Sequence, residues 1–443
     1  MSTKQALQEK WNPILEHADL PEIQGDYRKS VTAVLLENTQ KALNEDRRML
    51  NEAEVGGSSI GVAANYDPIL IGLVRRAMPQ LIAYDICGVQ PMTGPTGLIF
   101  AMKSTYVDNA ARASRSEALF NEANSAWSGS GAQTGTNPVD TGDNGLDPWA
   151  SNAPGNFSKG APVALTDDAT TDPQTWGAAT GLTMNQMSFK IEKMAVEAKS
   201  RALKAEYTME LQQDLKAIHG LDAEQELTNI LSNEIIAEIN REVIRTIYTV
   251  AQTGAELTAS PGTFDLDVDA NGRWSVERFK GMLFQIERDA NRIAQTTRRG
   301  KGNFILCSSD VASALAMAGK LDYAPALSTN LNVDESTSTF AGVLNGRYKV
   351  YVDPYLANGS SSQFMMVGYR GSSPFDAGLF YAPYVPLQLM RAVDPETFQP
   401  KIGFKTRYGM VNHPMAVSTV GATPTLTARS NNYFRLMRVT NLA

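Results

Sequence analysis

Six glutamates in the first 52 residues share one spacing. Glu9, Glu16, Glu22, Glu37, Glu45 and Glu52 each have Leu or Ile two positions earlier, at Leu7, Ile14, Leu20, Leu35, Leu43 and Leu50. In the rest of the chain only Glu238, two positions after Ile236, repeats it. An amphipathic helix sets apolar and acidic residues close together for ordinary reasons. Yet the far more helical stretch 222–252 shows the spacing once. The chemistry served is that of a substrate, because a protease selective for Leu/Ile-x-Glu could cut such a segment repeatedly. The last site, Leu50-Asn51-Glu52-Ala53, stands where a charged, helix-patterned segment gives way to Gly56-Gly57 and a Gly-, Pro- and Tyr-punctuated sequence. The junction therefore reads as a processing point.

Other groupings are weaker. Gly57-Ser58-Ser59-Ile60-Gly61 has the G-x-S-x-G form, but a nucleophile needs a strand before it, a helix after it and a partner histidine. It follows an acidic helix end instead, and His17, His219 and His413 are the only histidines. A flexible joint is the better reading. Asp267-Val268-Asp269-Ala270-Asn271-Gly272 opens like a calcium loop, but the twelfth position, which should be a bidentate Glu, is Arg278. Arg298-Arg299-Gly300-Lys301-Gly302 lacks phosphate-loop spacing and reads as an exposed turn. Three isolated histidines, with Cys87 and Cys307 far apart, have no metal-ligand spacing. No catalytic constellation, metal site or cofactor site is expected.

Composition narrows the class further. A chain of 443 residues with 43% hydrophobic and 20% charged residues has material for two or three domains. A net charge of −7 argues against a surface built to grip nucleic acid or anionic membrane. Two cysteines fit a reducing compartment. The N-terminal residues lack the apolar core of a secretory signal, and no run suffices to span a bilayer. A soluble cytoplasmic chain is expected.

The elements that must position these residues follow from periodicity. A helix is expected over 29–52, with Ser30 as its cap and a narrow apolar stripe that calls for a partner surface. Apolar runs at 69–78 and 81–89 precede the turn-rich 91–97, and Leu98 to Val107 alternates as a strand. Residues 128–183 are dominated by small and polar types with net charge −5 and predict a long surface excursion. Residues 188–211 read as a strand passing into a helix, broken at His219-Gly220. The clearest element is a helix over 222–252, capped by Asp222. Its stripe is Leu227, Ile230, Leu231, Ile235, Ile239, Val243, Ile247 and Val250. A helix over 275–296, strands at 304–307, 348–352, 364–367, 387–391 and 405–410, and a short helix at 310–320 follow. Without a regular βαβ rhythm, the class is α+β.

Longer strings resemble one family. They are 74–92 (VRRAMPQLIAYDICGVQPM) with Pro95-Thr96-Gly97, 197–242 (EAKSRALKAEY through EINRE), 283–287 (LFQIE), 340–349 (FAGVLNGRYK), 376–385 (DAGLFYAPYV) and 398–409 (FQPKIGFKTRYG). Together they resemble the major capsid proteins of T-even-type tailed bacteriophages over most of 55–410. The chain departs from the pattern at 107–183, which puts a compact insertion subdomain there in doubt, and matches loosely over 411–443.

The resemblance implies an HK97-type capsid fold. Its parts would be an N-terminal propeptide at 1–52, an N-terminal arm at 53–95 and an extended loop at 96–183. A peripheral domain at 184–252 would carry the spine helix 222–252, followed by an axial domain at 253–400 and a C-terminal return to the peripheral domain at 401–443. It implies self-assembly into hexameric capsomers of an icosahedral or prolate head shell around the genome, with a pentameric vertex subunit as the alternative. It also implies cleavage by a viral maturation protease between Glu52 and Ala53, with Leu50, Asn51 and Glu52 as recognition residues. The other five sites suggest that the released piece is chopped into small fragments. Implied partners are further copies of itself, a vertex protein, portal, scaffold or core proteins, decoration proteins and a host chaperonin. Neither sequence-specific nucleic-acid binding nor membrane contact is implied. Assembly would take place in the bacterial cytoplasm and end in the virion.

Overall fold

The computed structural model describes residues 3–16, 23, 25–52, 81–107, 115–120, 123–134, 158–163, 173, 176, 184–270, 272, 274–319, 321–323, 339–356, 362–394, 396–397, 399–416 and 426–442. The joint at 56–61 and the run at 66–80 lie outside them, as does most of the 107–183 excursion. The chain divides into two compact units. One comprises Met1–Ala101, Lys193–Ser418 and Ala422–Ala443, and the other Met102–Glu192 with Thr419–Gly421.

The first unit mixes helices with two sheets, an α+β fold. A four-stranded sheet runs in the order Gly88–Val89, Leu379–Val393, Pro400–Asn412, Lys199–Glu206. Leu389 faces Phe404 and Lys401 faces Glu206 in its registers. Alternation along Pro400–Asn412 buries Ile402, Phe404 and Tyr408. The second sheet has eight strands among the described residues, with Phe304–Cys307, Ser362–Gly368 and Asn431–Thr440 at its centre. Helix Ser275–Thr297 packs on Ser362–Gly368 and Asn431–Thr440 through Phe279, Met282, Ile286 and Ile293. Pro400, which opens its strand, pairs with Val393 across the turn. Strand Asn431–Thr440 hydrogen-bonds into the sheet built otherwise from 251–368, whereas Pro400–Asn412 pairs within the four-stranded sheet.

The long helix spans Ala223–Val250, and the Asp222 carboxylate accepts from the Glu224 amide to cap it. Its stripe buries Leu231, Ile235, Ile239, Val243, Ile247 and Val250. Ile230 is 60% exposed, and the first turns pack in a separate small cluster, where Ala223 and Leu227 meet Tyr207 and Ile402. The preceding helix, Met209–Ile218, stops at His219 and Gly220, whose φ of +68° suits glycine. Leaving the long helix, Gly254 passes against the Asp289 carboxylate, where an added Cβ would lie 2.6 Å from Oδ2.

In the second unit, the outer parts of strands Thr96–Tyr106 and Met187–Glu197 form a two-stranded ribbon. Lys103 pairs with Glu192 at 3.4 Å, and the Thr105 hydroxyl donates to the Ser188 carbonyl at 3.3 Å. Tyr106 and Trp127 pack with ring centroids 5.0 Å apart. Strand Ser130–Thr134 pairs with Ser158–Ala161. The sequence gives no sign of that pair, because its small polar residues carry no alternation of hydrophobicity.

Candidate functional site: the processing junction and the seat of the N-terminal helices

Leu50, Asn51 and Glu52 form the last turn of helix Asp26–Glu52, and Ala53 lies outside the described residues. The helix begins at Asp26, whose carboxylate suits the positive end of the helix dipole. Ser30 therefore lies inside it and does not cap it. Thr32 and Thr39 turn their hydroxyls back onto the carbonyls of Arg28 and Leu35, which lets polar side chains sit on a buried face.

The partner surface demanded by the narrow stripe comes from two directions. Helix Thr3–Leu15 supplies Trp11 and Leu15, which join Val31, Leu35 and Leu36 in the main core. Strand Leu379–Val393 packs on the helix, and the segment 81–89 adds Leu81, Ile82, Tyr84 and Ile86 to the same core. Polar anchors fix the register. The buried Asn38 donates through Nδ2 to the carbonyls of Met92 at 2.8 Å and Tyr384 at 2.9 Å. Arg28 pairs with Asp85 at 2.6 Å and lies 5.6 Å over the Tyr84 ring.

The internal glutamates differ in how they are held. Glu37 sits in mid-helix with its side chain 19% exposed; its Oε2 accepts from Lys10 Nζ at 2.7 Å and Trp11 Nε1 at 3.3 Å. Burial alone would raise its carboxyl, but these partners hold it below the ordinary value. Glu16 follows the last residue of the first helix. It is 55% exposed and, among the described residues, meets Asn12 at 3.3 Å and Lys29 at 3.5 Å.

The weaker candidates have structural occupations. Asp267 pairs with Arg278, the residue standing where a calcium loop needs Glu. Asp269 accepts from the amides of Ala259 at 2.9 Å and Asp265 at 3.0 Å. Arg298 ends helix Ser275–Thr297 in a left-handed conformation, and Lys301 pairs with Glu287. Cys87 and Cys307 are buried, and burial pushes both thiols up to about 12, so neither is a nucleophile at neutral pH. His413 Nδ1 accepts from the Met415 amide at 3.0 Å, and its ring stacks on Phe380. No three His, Cys, Asp or Glu side chains group as metal ligands among the described residues. No helix among them is long and apolar enough to cross a membrane.

The N-terminal helices are thus folded into the main core of the first unit. The family model described as "Major capsid protein Gp23" matches residues 63–439, and the chain belongs to that family. It is 37% identical to the major capsid protein of Vibrio phage KVP40, over 98% of this chain and 100% of that one. It is also 37% identical to the major capsid protein of Enterobacteria phage T4, over 95% of this chain and 94% of that one. Similarity to the T4 capsid vertex protein is 30% and covers 52% of this chain and 54% of that one. Among solved structures, the capsid of Myoviridae Phage XM1 aligns with a TM-score of 0.40 at 8% identity, over 81% of this chain and 92% of that one. The chain is a major capsid protein of a phage head shell, a virion component and not an enzyme.

Proposed function

We propose that this chain is the hexamer-forming subunit of the shell, folded in the HK97-type arrangement and matured by proteolysis after Glu52. The observation that carries the first part is the contrast in coverage: similarity to major capsid proteins runs the whole length, whereas similarity to the vertex protein stops near half. Maturation is supported by the crowding of Leu/Ile-x-Glu sites into 1–52. In this reading 53–95 is the arm, 96–183 the extended loop and 184–252 the peripheral domain with its spine. Residues 253–400 form the axial domain, joined by the strand 431–440 that pairs into its sheet. Vertex protein, portal, scaffold or core proteins, protease, decoration proteins and host chaperonin are its partners.

Intact-mass measurement on virion-derived protein tests the cleavage. A start at Ala53 is expected, and retention of Met1 or Ser2 would refute it. Imaging of the shell tests the position. Occupancy of the five-fold positions alone would favour the vertex reading, for which the half-length similarity is the supporting observation.

A further inference from the structure

We infer that the internal Leu/Ile-x-Glu sites are cut in a fixed order: cleavage after Glu16, at the end of the first N-terminal helix, unlocks Glu37 and lets the segment leave its seat. This rests on the proposed cleavage after Glu52, and it reverses the expected roles. The internal cuts cause release instead of trimming a piece already released.

Hydrolysis of the Glu52–Ala53 bond alone removes one covalent tether and none of the seat's contacts. Trp11, Leu15, Val31, Leu35 and Leu36 stay in the core, while Asn38 and Arg28 keep their anchors. A protease takes its substrate as opened, extended chain, so cutting follows the population in which the local structure has opened. By that measure the sites are unequal. Glu37 is helical on both sides, and the carboxylate a Glu-selective pocket must grasp is held by Lys10 and Trp11. Glu16 lies just past a helix end, over half exposed, with two long contacts. Glu22 belongs to the same connection but lies outside the described residues.

The protease adds water across the Glu16–His17 amide, leaving a carboxylate on Glu16 and an amine on His17. The freed 1–16 peptide carries a helix of 13 residues, at the margin of what holds together alone in water. As it departs it takes Lys10, Trp11 and Leu15 with it. Glu37 then has a free carboxylate on a helix that has lost one packed face. Cutting after Glu37 separates the Arg28 anchor from the Asn38 anchor, and neither fragment retains both.

Shells assembled from the full chain, with the maturation protease present, can be sampled over time by mass spectrometry of the small peptides. Fragments ending at Glu16 should precede any ending at Glu37. In the double variant Glu16→Gln, Glu22→Gln, the Ala53 start should appear at the wild-type rate while 1–52 sediments with the shell. Cleavage after Glu37 should then fall roughly a hundredfold, the opening penalty that loss of one buried Leu-sized packing partner lifts. Adding Lys10→Ala to that variant should raise cleavage after Glu37 several-fold. Wild-type cutting at Glu37 in the double variant, or no gain from Lys10→Ala, would overturn the order. Loss of the Ala53 start in the wild type would instead overturn the cleavage reading.

Discussion

Helices Asp26–Glu52 and Ala223–Val250 have 27 and 28 residues and enter the same apolar core, yet the proposed maturation discards one and keeps the other. Burial does not separate them: Leu35 and Ile247 are both fully enclosed. The wiring does. The long helix runs directly into strand Ala251–Thr253, which pairs with Asn431–Thr440. Its Arg241 meets Asp353 at 2.6 Å, and that carboxylate is 1% exposed. The removable helix is joined to the body by Arg28–Asp85, with 28% and 33% of those side chains exposed, and by the Asn38 amide. Apolar contacts give a segment its place, while buried charge and continuity into a sheet make the place permanent.

The comparison can be broken first at its charges. Arg241→Met leaves a buried carboxylate without its cation and should cost about 3–5 kcal/mol in chemical denaturation of the unassembled protein. Arg28→Met should cost at most about 1 kcal/mol, because solvent screens that pair. Equal costs would show that the wiring does not distinguish the helices.

The next test matches volumes. Ile247→Ala should lower global stability by about 2–5 kcal/mol. Leu35→Ala removes a comparable side chain but should loosen only its own segment. Amide exchange should accelerate through 26–41 and 81–92 while the long helix keeps its protection. Loss of protection in both helices would merge them into one cooperative unit.

A smaller effect sharpens the permanent side. Asp289 accepts from the Ala255 amide at 3.1 Å through both oxygens and from Gln285 at 3.1 Å, clamping the exit of the long helix. Burial raises its pKa to about 6, against hydrogen bonds and the nearby Arg435 charge that lower it, with Glu256 adding to the rise. A carboxyl raised in the folded state holds its proton there at a pH where the unfolded chain has lost it. Its stabilising share is therefore complete below its ordinary value near 4 and is lost as pH rises through about 6. The difference amounts to about 3 kcal/mol at most. Asp289→Asn should flatten that part of the stability–pH curve, and an unchanged slope would assign it to other groups.

Elements with a clean apolar period were legible within a few residues. The long helix, helix Ser275–Thr297 and strand Phe304–Cys307 are examples. Errors arose where a side chain's partner is remote in sequence. Asn431–Thr440 was missed because Arg435 and Arg438 interrupt its alternation. Arg435 is nonetheless buried, paired with Glu256 at 2.5 Å and donating to the Thr253 carbonyl at 3.1 Å. The Leu/Ile-x-Glu spacing is visible in the sequence, but the seat of the helices that carry it is not. Its Asn38-to-Tyr384 contact joins positions 346 residues apart, and local periodicity carries no signal over that distance.

The place of strand Asn431–Thr440 also bears on how the protein is made. It hydrogen-bonds to Ser362–Gly368 on one side and to Ala251–Thr253 and Thr263–Asp265 on the other. A ribosome that has not yet translated residue 431 carries a chain whose larger sheet has an open slot at its centre. Domains usually fold as units, so this sheet closes only once 431–440 has been made. Chains broken off earlier keep exposed sheet edges and apolar faces. Such edges and faces are the surfaces that make incomplete chains prone to aggregate.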